Sequence, residues 1–155
     1  MDIVQLLQEV ELRDVRLIGR DSRLKLDPRK GVSSLVVDSD EDAEMSIDIN
    51  AVSWGERIEV WFRIRVEDPR ALVSADVAVL YDRGSEEEVP ESVRVEFIEK
   101  VAVMSAYPYL RQEAQTLAAD LRLGHVTLPI MRQGEFRIRS PQSEPEPSRE
   151  AQDER

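Results

Sequence analysis

Met45-Ser46-Ile47-Asp48-Ile49-Asn50-Ala51 and Ile58-Glu59-Val60-Trp61-Phe62-Arg63-Ile64-Arg65-Val66, joined through Trp54-Gly55-Glu56, are the residues that decide the fold. Apolar and polar side chains alternate with period two in both runs. A strand points successive side chains to opposite faces, so this pattern predicts two strands, each with one buried and one wetter face. The connection is short, which favours antiparallel pairing.

Working outward, Asp68-Pro69-Arg70 breaks the second run, and Val73, Ala75, Val77, Val79 and Tyr81 mark one face of a further strand. Upstream, Val10 to Ile18 alternates too, but its phase slips between Leu12 and Val15, as a bulged strand would. Residues 2–9, with Ile3, Val4, Leu6 and Leu7, make a short amphipathic helical turn, and Asp27 to Gly31 reads as a turn. Downstream the period changes. Pro90 suits a first helical turn, and Val93, Phe97, Val101 and Met104 fall on one helix face. Pro108 is expected to end that helix and open a second, whose face is Leu110, Ala114, Leu117, Ala118 and Leu121, with Gly124 past its end. Strands first and helices last predict an α+β domain: a four-stranded antiparallel sheet over residues 10–82, followed by two helices packed on one face. The domain is expected to span residues 1–140. Residues 141–155, rich in Pro, Glu and Ser and almost free of apolar side chains, are expected to form a disordered tail.

Composition narrows the function. The 155 residues carry a net charge of −11, a field that repels nucleic acid and anionic membrane and favours neutral or basic partners. No apolar run reaches the length of a transmembrane helix, and the N-terminus lacks the pattern of a secretory signal, so the cytoplasm is the expected compartment. With no cysteine and one histidine, thiolate chemistry is excluded and a transition-metal site has no supporting spacing. His125 reads as a polar residue at a helix end. Ser105, His125 and Asp120 lack the local signature of a nucleophile elbow. The glycines form no phosphate loop, and the acidic runs at Asp38–Glu44 and Glu86–Glu88 lack a calcium-loop pattern. No catalytic residue, metal or cofactor is expected.

One stretch says more. Ala106-Tyr107-Pro108-Tyr109-Leu110-Arg111-Gln112-Glu113, followed by Gly124 and Val126-Thr127-Leu128-Pro129-Ile130, resembles the signature of the SecB chaperone family, in which an aromatic–Pro–Tyr step opens a helix that leads into an extended segment. Leu12 to Leu17, Met45 to Asn50 and Glu59 to Val66 are similar to that family's strands in the same order, so the resemblance covers about residues 10–131. It is closest to the divergent SecB-like proteins, some of which serve toxin–antitoxin modules. Two stretches depart from the pattern. Ile18-Gly19-Arg20-Asp21-Ser22-Arg23 lacks a clear match to the acids that help dock the SecA motor, and Gln133 to Arg137 replaces the family's final helix.

The resemblance implies an ATP-independent holdase that keeps unfolded polypeptides, export precursors or an antitoxin, in hydrophobic grooves. It also implies a homo-oligomer, a tetramer built as a dimer of dimers, with SecA as a further partner. Membrane insertion and nucleic-acid binding are not expected. The aromatic residues Trp54, Trp61, Tyr107 and Tyr109 are the candidate client contacts, since Trp and Tyr give large contact area at low entropy cost. Trp61 stands out because it sits on the polar face of its strand, between Glu59 and Arg63. The competing reading of these aromatics is burial at a subunit interface or under the helices. The competing reading of the whole chain is a hotdog-like α+β enzyme or small-ligand domain, which would need a buried polar pocket.

Overall fold

The computed structural model describes residues 1–27, 29–31, 43–123 and 131–138. His125, the 126–130 segment, most of the 38–44 acidic run and the 141–155 tail lie outside the described residues.

A short helix, α1 (Ile3–Glu9), opens the chain. Its first turn is closed by reciprocal bonds. The Asp2 carboxylate accepts from the Gln5 backbone N–H at 2.9 Å, and the Gln5 side chain accepts from the Asp2 N–H at 2.8 Å. Four strands follow: β1 (Glu11–Leu24), β2 (Glu44–Ser53), β3 (Arg57–Asp68) and β4 (Ala71–Asp82). They form one antiparallel sheet in the order β1-β4-β3-β2. The phase slip in the first strand is a bulge between Leu12 and Asp14. A second bulge follows between Leu17 and Gly19, and β2 has one between Ile49 and Ala51.

The alternation of β3 is realised in full. Ile58, Val60, Phe62, Ile64 and Val66 are buried, and across the ladder they face Tyr81, Val79, Val77, Ala75 and Val73 of β4. The helical segment lies on this face. It runs as α2 (Glu91–Phe97), one π-helical turn (Ile98–Ala102) and α3 (Val103–Asp120). Val103, Ala106, Leu110, Ala114 and Leu117 meet the sheet.

The helical break is therefore not where the proline predicts it. Pro108 lies inside α3, although it has no N–H to give to the Met104 carbonyl. Buried Ala106, Tyr107 and Leu110 on either side of it hold the helix against the sheet, and tertiary packing overrides local propensity. The irregularity sits earlier, where the Val103 N–H reaches back five residues to the Ile98 carbonyl. An extra residue in one turn rotates everything after it. The expected stripe of Val93, Phe97, Val101 and Met104 is accordingly replaced. Val93 and Phe97 are buried, but thereafter Ala102, Val103 and Ala106 point inward while Val101 and Met104 are only half-buried.

Polar bonds pin the two ends of the layer. The Tyr81 hydroxyl donates to Ser105 Oγ at 2.8 Å, and Ser105 donates to the Val101 carbonyl at 3.2 Å. At the β3–β4 turn, Arg70 holds Asp68 at 2.8 Å and donates to the Leu123 carbonyl at 3.2 Å, tying the hairpin to the end of the helix.

Candidate functional site

One helical segment cannot cover a four-stranded sheet. α3 lies over β4 and touches both of its neighbours, β1 and β3, so one shoulder only partly covers edge strand β1 and the other stops short of edge strand β2. On the β1 side, Leu12 and Leu17 stand opposite Tyr81 and Val77, on the helix-bearing face, yet they remain 47% and 43% exposed. Ile18, in the second bulge, is also exposed. The shoulder is marked by Glu113, whose carboxylate meets Arg20 of β1 at 3.4 Å.

Tyr109 lies one turn before Glu113 on the same side of α3 and is 49% exposed. Tyr107, two residues away and so about 200° round the helix, belongs to the opposite shoulder. It is buried, and burial pushes its phenol pKa up; Arg111 opposes that shift and Glu135 adds to it. Trp54, in the β2–β3 connection, is half-buried. Its ring meets Phe97 edge-on at 5.9 Å, and the Arg94 guanidinium lies 5.5 Å from its centre. Phe97 in turn meets Tyr81 at 5.1 Å. Trp61 is on the far side of the sheet, away from the helices, between Ala51 and Ala78 of the neighbouring strands. Its indole N–H donates to the Glu59 carboxylate. Leu72 and Leu80 of β4 share that face, opposite Glu67 and Glu59, and the rest of its centre is polar. Arg63 forks onto Asp76 at 2.8 and 2.9 Å, and Asn50 donates to the same carboxylate at 3.0 Å. The four candidate aromatics thus occupy separate surfaces: one on the open sheet face, one at the hairpin and one on each shoulder of α3.

The β2 shoulder holds a cleft of about 530 Å³ between the strand and residues 131–138. Met45, Ile47 and Ile49 line one side; Met131, Phe136 and Ile138 line the other. Phe136 packs edge-on against Phe62 at 6.0 Å. Glu99, buried in the π-helical turn, reaches the same segment. One of its carboxylate oxygens accepts the Ile138 backbone N–H at 2.8 Å, and the other takes the Arg137 guanidinium at 2.9 Å.

Sequence reasoning passes over Glu99, Phe136 and Ile138. Under uniform 3.6-residue spacing Glu99 falls off the apolar stripe, and only the π-helical turn brings it inward. The one signal for the segment is the alternation Phe136-Arg137-Ile138, too short to count as a strand. Among the described residues, no group of three acidic, histidine or cysteine side chains is placed to hold a metal, and no helix is long and apolar enough to cross a membrane.

No family model matches the chain. It is 28% identical over 137 residues to the SecB-like chaperone SmegB of Mycolicibacterium smegmatis, covering 88% of this chain and 86% of that protein. Among solved structures, its fold is similar to the Mycobacterium tuberculosis Rv1957 SecB-like chaperone in complex with a ChAD peptide from the Rv1956 HigA1 antitoxin. The TM-score is 0.64 at 19% identity, over 83% of this chain and 92% of that one. In sequence and in fold the chain is similar to SecB-like chaperones.

Proposed function

We propose that this chain is a SecB-like holdase that binds unfolded polypeptides without ATP and catalyses no reaction. The observation that carries the reading is the apolar surface left open on the shoulders of α3: Leu12, Leu17 and Tyr109 on one side, the β2 cleft on the other. Burial of apolar area gives roughly 25 cal/mol per Å² and is not directional, so such shoulders suit many client sequences. A net charge of −11 around them attracts basic segments. The SecB-like relative bound to an antitoxin peptide supports an antitoxin as one kind of client. Export precursors are the other kind, and they would require hand-over to the SecA motor. The cytoplasm is the compartment where both would be met.

Trp54, Trp61, Tyr107 and Tyr109 remain the assigned client contacts. Tyr109 is directly reachable, and Trp54 and Trp61 are partly so. Tyr107 becomes reachable only if its surroundings open. The reading also includes assembly of a homo-oligomer, a tetramer built from two dimers. β1 is a 14-residue edge strand with exposed apolar side chains, and edges of that length are normally covered. Sedimentation at micromolar concentration should give a multiple of the chain mass, and a monomer alone would refute this part.

The decisive experiment is light scattering from an aggregating unfolded client. Stoichiometric chain should suppress the signal equally with and without nucleotide. Absence of suppression, or suppression only with ATP, would overturn the reading.

A further inference from the structure

We propose that Glu99, turned inward by the π-helical turn, is the positioning residue that holds the outer wall of the β2 cleft in place. It does so through its bond to the Ile138 backbone N–H rather than through its ion pair with Arg137. This rests on the chaperone reading and deepens it by naming the group on which the shape of the cleft depends.

The outer wall, residues 131–138, contains a small closed turn. The Glu135 N–H donates to the Arg132 carbonyl at 3.1 Å, and the Arg132 N–H donates to the Glu135 carboxylate at 3.1 Å. Gly134 supplies the left-handed step, with φ at +87°. The segment adds no strand to the sheet, so no ladder of backbone bonds fixes it. Among the described residues, the hydrogen bonds that tie it to the rest of the chain end on Glu99 and Lys100, neighbours in the π-helical turn. The Glu99 carboxylate accepts from Ile138 at 2.8 Å and from Arg137 at 2.9 Å, and the Gln133 side chain donates to the Lys100 carbonyl at 3.5 Å, a long bond. With uniform α-helical winding Glu99 would leave the buried side. The extra residue in this turn therefore has a use, which is to aim a carboxylate at the wall.

The two Glu99 bonds are unequal. The Arg137 side chain is 61% exposed, so water and salt screen its charge and the pair is worth little. The Glu99 side chain is 11% exposed, and the Ile138 N–H that it accepts has no strand partner. Breaking that bond leaves a donor unpaired and a buried carboxylate short of one partner. Side-chain packing, with Phe136 against Phe62, is then left to hold the wall, and apolar packing is not directional.

The test compares the full chain with Glu99→Ala, Glu99→Gln and Arg137→Ser. Two quantities are read: amide hydrogen exchange, and affinity for a fluorescein-labelled peptide of alternating Leu and Ser. Glu99→Ala should speed exchange at the Ile138 amide by roughly tenfold or more and leave the amides of Val60 and Val77, buried at the centre of the sheet, unchanged. Its peptide affinity should fall roughly tenfold, because a loosened wall lowers the fraction of time the cleft is formed. Glutamine keeps an acceptor of nearly the same shape without the charge, so Glu99→Gln should rescue both readings. It and Arg137→Ser should stay within about twofold of the unaltered chain.

A measurement that needs no variant guards against misfolding: the Ile138 amide of the unaltered chain should exchange roughly tenfold or more slowly than in an unfolded chain. An unprotected Ile138 amide, or one that speeds up in Glu99→Ala only in step with Val60 and Val77, would overturn the proposal. So would Ile138 exchange unchanged in Glu99→Ala, a Gln or Arg137→Ser variant as impaired as Glu99→Ala, or peptide binding that is absent or indifferent to Glu99. Failure of the chaperone reading looks different, because exchange and peptide affinity would follow Glu99 in this way while client aggregation went unsuppressed.

Discussion

Asp68 continues the inward-facing series of β3, two residues after Val66, and is 6% exposed where an apolar side chain would be expected. Its carboxylate is answered by Arg70, which supplies a backbone N–H at 2.8 Å and its guanidinium at 2.8 and 3.1 Å. That guanidinium holds the Asp68 pKa below the ordinary carboxylate range. A lowered folded-state pKa means that stability from this pair is full above the unfolded carboxylate value, about 3.9, and is lost as pH falls through the folded value. Asp68→Asn should cost about 2 kcal/mol at neutral pH, the order of a charged hydrogen bond. The gap between variant and unaltered chain, followed by urea unfolding, should stay constant down to about pH 4 and close below it. A gap that widened in acid would contradict the assignment. Tyr81→Phe tests a second polar pin. It leaves Ser105 bonded only to the Val101 carbonyl and should cost about 1 kcal/mol, lowering Tm by roughly 2–4 °C. Ser105 shows how far residue-level reading goes: its use as a strut between β4 and the helix depends on a register that no local pattern reveals.

At the scale of elements, the strands were legible because period two persists over whole runs and a slip has a physical name. The Leu12–Val15 irregularity is read as a bulge and found as one between Leu12 and Asp14. The helix was legible in existence and side but not in phase. Its π-helical turn has no residue signature, since it reflects how two stretches of apolar surface meet one sheet. Glu99 was lost to the sequence reading for that reason, and with it the cleft. Pro108 offers the converse test. If α3 is continuous through it, Pro108→Ala restores an N–H for the Met104 carbonyl, removes the ring clash and should stabilise the chain by up to about 3 kcal/mol, with helical circular dichroism unchanged or slightly raised. A loss of stability would place a true helix boundary at that residue.

For the whole molecule, charge and apolar shoulders act on different steps. Long-range attraction speeds encounter and is screened by salt, whereas apolar burial sets how long a client stays. Raising salt from about 0.05 to 0.5 M should slow association of a basic client several-fold while changing the holding capacity for a neutral client little, as stopped-flow fluorescence and light scattering would separate. Truncation after residue 140 should leave Tm within about 1 °C, because the composition of 141–155 offers nothing to pack.

The strand order also dictates a timetable. β2, β3 and β4 are linked by short turns and can zip together locally, whereas β1 finds its neighbour only when β4, ending at Asp82, exists. Closing that long loop is an entropic cost met before its contacts form, so β1 should dock late. Val15→Ala in β1 should then hasten unfolding and leave the refolding rate nearly unchanged, while Val60→Ala in β3 should slow refolding. During synthesis, Leu12, Val15, Leu17 and Ile18 leave the ribosome well before their pairing partner. Until then the nascent chain shows the same kind of unpaired apolar segment that its folded form is proposed to shelter in others.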